Sequence, residues 1–220
     1  MIHPRPLRLG ALRIAGVVAL GLSVSGCLGG LLGGGKPSQL YRFGQTPVAE
    51  AQAAPAAGTV AVFRANGVFQ GETAGDRILA ITGDQAQYIA ESRWVAPASV
   101  LWDQAVLAAF DAAPGKVRLV SRGELSRAQY VLRMDVRNFE TRYDNGKDAS
   151  PTVLVRVRAV LSRPRDRDYI REQIFEARVR ASGNRVGAIV PAYDRAVADV
   201  LRQAVTWLET EAQPVTQPPA

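Results

Sequence analysis

Three stretches of the chain alternate apolar and charged residues with a period of two. In Tyr130–Phe139, Tyr130, Leu132, Met134 and Val136 fall on one side and Arg133, Asp135 and Arg137 on the other. Val153, Val155, Val157, Ala159 and Leu161 alternate with Arg156 and Arg158; in Tyr169–Ala181, Phe175, Ala177 and Val179 oppose Glu176, Arg178 and Arg180. Successive side chains of a strand point to opposite faces, so each run predicts a strand with one apolar and one charged face. The connections are short, which predicts an antiparallel meander. One of them, Asp144-Asn145-Gly146-Lys147-Asp148, holds acids but not in the ligand order of a calcium loop, and reads as a solvated turn.

Two stretches carry the helical period instead. Tyr193, Ala196, Val197, Val200, Leu201, Ala204, Trp207 and Leu208 form one apolar stripe on a helix of about five turns. Upstream, Pro97 suits the first turn of a helix, and Leu101, Ala105, Ala108 and Ala109 form its stripe with Trp102 and Phe110 at the margins. Pro114-Gly115 ends it. Shorter strands are predicted at Leu40–Phe43, Val60–Phe63, Arg77–Thr82, Gln85–Ala90 and Lys116–Ser121, with Gly83-Asp84 as a type II′ hairpin turn. Thr46–Gly58, bracketed by Pro47 and Pro55, reads as a loop. So does Asn66–Gly75, whose Val68 and Phe69 either fold back onto the domain or meet a partner or lipid.

A half-polar sheet and two helices predict an α/β (α+β) sandwich of two layers, the sheet mixed and largely antiparallel and both helices on its apolar face. The other face then carries Arg133, Arg137, Arg156, Arg158, Arg178 and Arg180 among Asp135, Glu172 and Glu176. Such a face is either solvated, with weak cross-strand ion pairs, or a docking surface for an oligomer or an acidic partner. Trp94 and Trp102 either line a small groove or pack in the core.

The N-terminus changes the picture. His3, Arg5, Arg8 and Arg13 precede a small, apolar run from Ile14 to Val24, the layout of a secretory signal. It is too short and glycine-rich for a good spanning helix. The signal ends on Val24-Ser25-Gly26-Cys27, which resembles the lipobox of bacterial lipoproteins, where the cysteine is acylated and becomes the first mature residue. The organisation expected is a signal over 1–26, an acylated N-terminus and flexible tether with one short strand over 27–58, a periplasmic domain over 59–210 and a disordered tail over 211–220. Gly30 and Gly35-Lys36 have the spacing of a phosphate-binding loop, but Pro37 stands where its Ser or Thr would be.

Charge and chemistry narrow the function. The formal net charge of +7 includes Arg5, Arg8 and Arg13 of the signal, so the mature chain is only mildly basic and nucleic acid is not an expected partner. His3 is the only histidine and Cys27 the only cysteine. Histidine and thiolate catalysis, disulfides and the usual zinc sites are therefore closed to the mature domain. No catalytic residue, metal ligand or cofactor is expected beyond the covalent lipid on Cys27.

With these residues in hand, the chain resembles the ABC-type transport auxiliary lipoprotein family, in its PqiC-like branch. The lipobox, Tyr41-Arg42-Phe43, Asp76-Arg77-Ile78-Leu79, Tyr88-Ile89-Ala90 and Arg93-Trp94-Val95-Ala96-Pro97 carry the resemblance. Tyr130-Val131-Leu132, Asn138-Phe139-Glu140, Phe175-Glu176-Ala177 and the helix ending near Trp207 extend it to about Glu209. Phe43 in place of leucine and the Ala/Pro-rich insert at Thr46–Gly58 depart from the pattern. The resemblance implies a non-enzymatic partner of an ABC permease and an MCE (MlaD-like) protein that move lipids or other hydrophobic compounds between two membranes. It implies a fold similar to the N-terminal domain of TolB, with helices on both sheet faces in some members, and a homo-oligomer, since some members form rings. Leu28 follows the cysteine where aspartate would favour inner-membrane retention, which points to the periplasmic face of the outer membrane. A second reading of the same anchor is an envelope assembly or chaperone lipoprotein for an outer-membrane pore or the lipopolysaccharide machinery.

Overall fold

The computed structural model describes residues 37–44, 58–164 and 169–213. The signal, the lipobox residues Val24, Ser25 and Gly26, Cys27, the glycine-rich tether and most of the Thr46–Gly58 loop lie outside the described residues, as does 214–220 of the expected tail.

The described chain runs β1 (Gln39–Tyr41), β2 (Val60–Ala65), a one-turn helix α1 (Gly71–Ala74), β3 (Arg77–Thr82), β4 (Gln85–Trp94) and α2 (Ala98–Asp111). β5 (Val117–Val120), a 3-10 segment (Arg122–Arg127), β6 (Tyr130–Arg142), β7 (Thr152–Ser162), β8 (Tyr169–Arg180) and α3 (Val186–Glu211) follow. The eight strands form one mixed sheet. Its longest ladders are the antiparallel meander β6-β7-β8 that the alternation predicts. The hairpin β3-β4 also forms, with Thr82 opposite Gln85 and φ 56° at Gly83.

β6 organises the rest. One of its edges carries β7 along its whole length. The other edge is shared by two shorter strands, both parallel to it: β2 beside Tyr130–Arg133 and β3 beside Thr141–Arg142. Between them Phe69 bridges to Val136, so 60–82 runs as one interrupted strand along β6. The interruption is α1, which takes up the extra residues. Asn66–Gly75, expected as a loop, is therefore partly an edge element. Beyond β2 the sheet closes with β5, and beyond β3 with β4 and β1.

Both long helices pack on one face of this sheet and against each other, in a single core. That is the two-layer arrangement read from the half-polar strands, not the helices-on-both-faces variant. Every residue of the predicted C-terminal stripe is buried except Trp207, which is half-buried edge-on to Phe175. α3 begins seven residues earlier than its stripe suggests and holds Pro191. At the sixth helical residue the proline removes the N–H that would meet the Gly187 carbonyl, a cost offset by burial of Ile189, Val190 and Ala192, which keeps that first stretch on the sheet. At the other end the helix includes Glu211 and Ala212 is buried, so the first residues assigned to a disordered tail are part of the domain. The stripe of α2 is rotated from the predicted one: Trp102, Val106 and Phe110 are fully buried, whereas Ala108 and Ala109 are only half-buried. Burying the larger side chains removes more apolar surface from water.

The core centre is aromatic. Phe43 lies 4.9 Å, centroid to centroid, from both Trp94 and Phe139, and Tyr193 lies 5.1 Å from Trp94 and 4.8 Å from Phe139. Trp94 reaches this cluster because β4 is irregular: Glu91 takes φ 53° and the register with β3 shifts between Arg77 and Leu79. The Tyr193 hydroxyl finds the Thr141 hydroxyl at 3.1 Å, and burial holds its phenol protonated well above the ordinary tyrosine range.

Candidate docking face

The face of the meander turned away from the helices is built by alternation alone. Inward Met134, Val136, Val157 and Phe175 leave Arg133, Asp135, Arg156, Arg158, Glu172, Ile174, Glu176 and Arg178 outward. A bulge between Val136 and Asn138 adds one residue to β6, so Phe139 and Thr141 continue the inward row and Glu140 and Arg142 the outward one.

Asp135 is the hinge of its charges. Its side chain is 4% exposed although it lies on the outer face. One oxygen accepts the Val68 N–H at 3.0 Å. The other has Arg133 and Arg158 at 3.5 Å and Arg137 at 3.9 Å. A buried carboxylate needs such partners, because leaving it unpaired would cost several kcal/mol. The same Val68 is pinned through its carbonyl, which accepts the Val136 N–H at 2.8 Å. Gly67 has to be glycine here: a Cβ would stand 1.8 Å from the Met134 carbonyl oxygen.

Next along the face, Arg158 grips Glu172 through two N–H groups, Nε to Oε1 at 2.7 Å and Nη2 to Oε2 at 2.5 Å. These bonds hold the Glu172 carboxyl below the ordinary carboxylate value, against an opposing effect of desolvation. A folded-state pKa below the unfolded one means the pair contributes above the ordinary carboxylate range and is lost as pH falls through the lowered value. A side-chain carbon NMR titration of Glu172 is expected to show a midpoint below that of exposed glutamates, restored to normal by Arg158→Gln. A normal midpoint in the unsubstituted protein would show that the two-pronged contact is absent in solution.

The remaining guanidiniums are open. Arg133, Arg137, Arg156 and Arg178 are each about half exposed, and Arg156 shares Glu176 with Arg178 at 3.5 against 2.7 Å. Ile174, 46% exposed, lies among them. The result is a flat, arginine-rich surface with an apolar point, whereas no group of three or more His, Cys, Asp or Glu among the described residues is placed to hold a metal ion. Arginine is enriched and lysine depleted at protein interfaces.

The other sequence-selected residues separate. Trp94 and Trp102 are each 2% exposed, so their rings pack in the core and present no open aromatic surface. Phe69 is half-buried, edge-on to Phe139 at 5.5 Å. Only Val68 of the four stays on the surface, at 66% exposure, at the rim of the arginine face. Sequence alternation marks the charges of this face but not Asp135 as their shared acceptor, which depends on the parallel pairing of 66–70 with β6. No described helix is long and apolar enough to cross a membrane.

Comparison with known proteins places this geometry. Residues 75–205 match the model of a family described as the ABC-type transport auxiliary lipoprotein component. A crystal structure of a Xanthomonas campestris protein of family DUF330 aligns with TM-score 0.65 and 23% identity, over 79% of this chain and 96% of that one. An uncharacterized protein aligns with TM-score 0.60 and 13% identity, over 79% of this chain and 99% of that one. At such identities both establish the fold. No curated protein matches the chain.

Proposed function

Because the chain belongs to the ABC-type transport auxiliary lipoprotein family, we propose that it is a non-catalytic subunit of an envelope transporter that works by docking. In this reading Cys27 of the Val24-Ser25-Gly26-Cys27 lipobox carries the lipid that holds the domain at the periplasmic face of the outer membrane. Two or more acyl chains anchor stably, where one does not. The partners are an MCE (MlaD-like) protein and its ABC permease, and the cargo is a lipid or another hydrophobic compound passing between the membranes. The arginine face is the surface offered to an acidic region of the MCE partner.

The observation that carries the reading is the family match over 75–205, a stretch that includes the whole of β6, β7 and β8 and hence every residue of the arginine face. The chemistry agrees with it. The mature chain contains no histidine and no cysteine other than Cys27, and the acids of the face are occupied by arginines.

Crosslinking in the native host, followed by solubilisation and mass spectrometry, tests the proposal. The expected captives are an MCE protein and a permease, and the intact mass of the purified chain should include acyl groups on Cys27. Capture of an outer-membrane β-barrel without a permease would favour the assembly-lipoprotein reading instead. A bare thiol at Cys27 would remove the anchor.

A further inference from the structure

A polar cleft of about 240 Å³ opens where β2 leaves the edge of β6. Its walls are the end of β2 with Arg64, the 66–69 segment, the first turns of α2 with Ser99, Trp102 and Asp103, and Met134 and Val136 of β6. Crevices beyond the carboxyl end of a parallel strand, at a break in the sheet, are where open α/β sheets take ligands. Here the break is built in, because β2 and β3 share one edge of β6.

Two unmet donors belong to this cleft. Among the described residues, three buried side-chain polar atoms lack a hydrogen-bond partner, and Arg64 Nε and Trp102 Nε1 are two of them. Both residues line the cleft. Trp102 is 2% exposed, and a buried donor left unpaired is costly, so a partner is called for. Asp103 engages the Nη2 end of Arg64 and is itself 57% exposed, which leaves the Nε side of the guanidinium uncommitted. α2 begins here with no acidic residue in its first turn and no capping side chain. The first turn of this fourteen-residue helix borders the cleft through Ser99, while its first N–H, of Ala98, is donated to the Gly75 carbonyl at 2.8 Å.

We propose that this cleft binds a phosphate-type oxyanion, with the Arg64 Nε–H and the Trp102 Nε1–H as its donors. A guanidinium N–H and an indole N–H lining one cleft offer a charge-assisted pair of donors to an oxyanion, and the volume holds a phosphate together with part of whatever group it esterifies. The same chemistry is offered by inorganic phosphate and by a phospholipid headgroup. The site does not depend on the transporter reading, and it is distinct from the arginine face.

The full chain in detergent, labelled with nitrogen-15 only at tryptophan, yields three indole N–H signals, from Trp94, Trp102 and Trp207. Trp102→Phe identifies the middle one. Inorganic phosphate, titrated at fixed ionic strength, is expected to shift the Trp102 signal saturably and leave Trp94 in place. Arg64→Gln is expected to weaken that response roughly tenfold. Comparing nanodiscs of phosphatidylglycerol with nanodiscs of a phosphate-free glycolipid separates the sources: a shift with free phosphate supports a soluble ligand, and a shift only with the phospholipid supports a headgroup. A Trp102 signal that ignores both, or that moves equally in Arg64→Gln, overturns the site. Should Arg64→Gln disturb the Trp94 and Trp207 signals, phosphorus line broadening with the unsubstituted chain against Trp102→Phe decides: equal broadening overturns the proposal.

Discussion

Phe43→Ala is expected to destabilise the domain by about 3–5 kcal/mol, the range for deleting a fully buried aromatic side chain. Phe43 is 2% exposed and touches the rings of Trp94 and Phe139, so its loss leaves a cavity under the aromatic cluster that neither neighbour can fill without leaving Tyr193. Its backbone allows no retreat. Gly44, next in the chain, takes φ 75°, donates its N–H to Asp194 at 2.8 Å, and lies so close to α2 that a Cβ there would be 2.7 Å from the Ala105 Cβ. Little else fastens 37–44, because β1 pairs with β4 over only three residues. Chemical denaturation followed by tryptophan fluorescence measures the loss, and limited proteolysis should cut the variant near residue 44 first. Leu40→Ala is the control: at 62% exposure it should change stability by roughly 0.5 kcal/mol or less. Equal midpoints for the two variants would mean that the segment is not part of the cooperative core.

Phe43 also marks where the sequence stops being legible. It reads as the end of an alternating strand, yet β1 ends at Tyr41 and Phe43 turns into the core against Trp94 and Phe139. Nothing local records that, since its ring neighbours Trp94 and Phe139 are 51 and 96 positions away. The meander was legible for the opposite reason. Val153 to Leu161 alternate without a break, and a slip of one residue would bury Arg156 and Arg158, so pattern and pairing are forced together. The parallel attachment of β2 and β3 to one edge of β6 was not legible, because parallel neighbours are joined through distant chain and leave no turn signature. The site follows the same division. Its arginines could be placed on one face by counting, whereas the covering of Asp135 by Val68, and the placing of Arg64 and Trp102 on one cleft, needed elements that only the tertiary structure brings together.

Reversing Arg137 and Arg156 together is expected to abolish capture of the transporter partner, with an affinity loss on the order of a hundredfold, while the domain stays folded. These two are chosen because the face can spare them. Asp135 keeps Arg133 and Arg158, both nearer to it than Arg137, and Glu176 keeps Arg178 at 2.7 Å when Arg156 at 3.5 Å is removed. The exposed Arg156–Glu176 pair contributes about 1 kcal/mol or less, and buried Asp135 retains two nearer guanidiniums and the Val68 N–H, so Arg137→Glu with Arg156→Glu should leave most of the stability intact. Docking is another matter. An acidic partner meeting two new carboxylates in place of two half-exposed guanidiniums faces repulsion where it had attraction, and encounter slows as well as dissociation quickening. Arg202→Glu, 70% exposed on α3 on the opposite side of the sheet, carries the same change of sign at one site and should leave capture unchanged. Crosslinked yield of the proposed MCE partner, at two salt concentrations, reads the difference. If the double reversal captures normally and Arg202→Glu does not, the partner grips the helical side and the arginine face is only solvated.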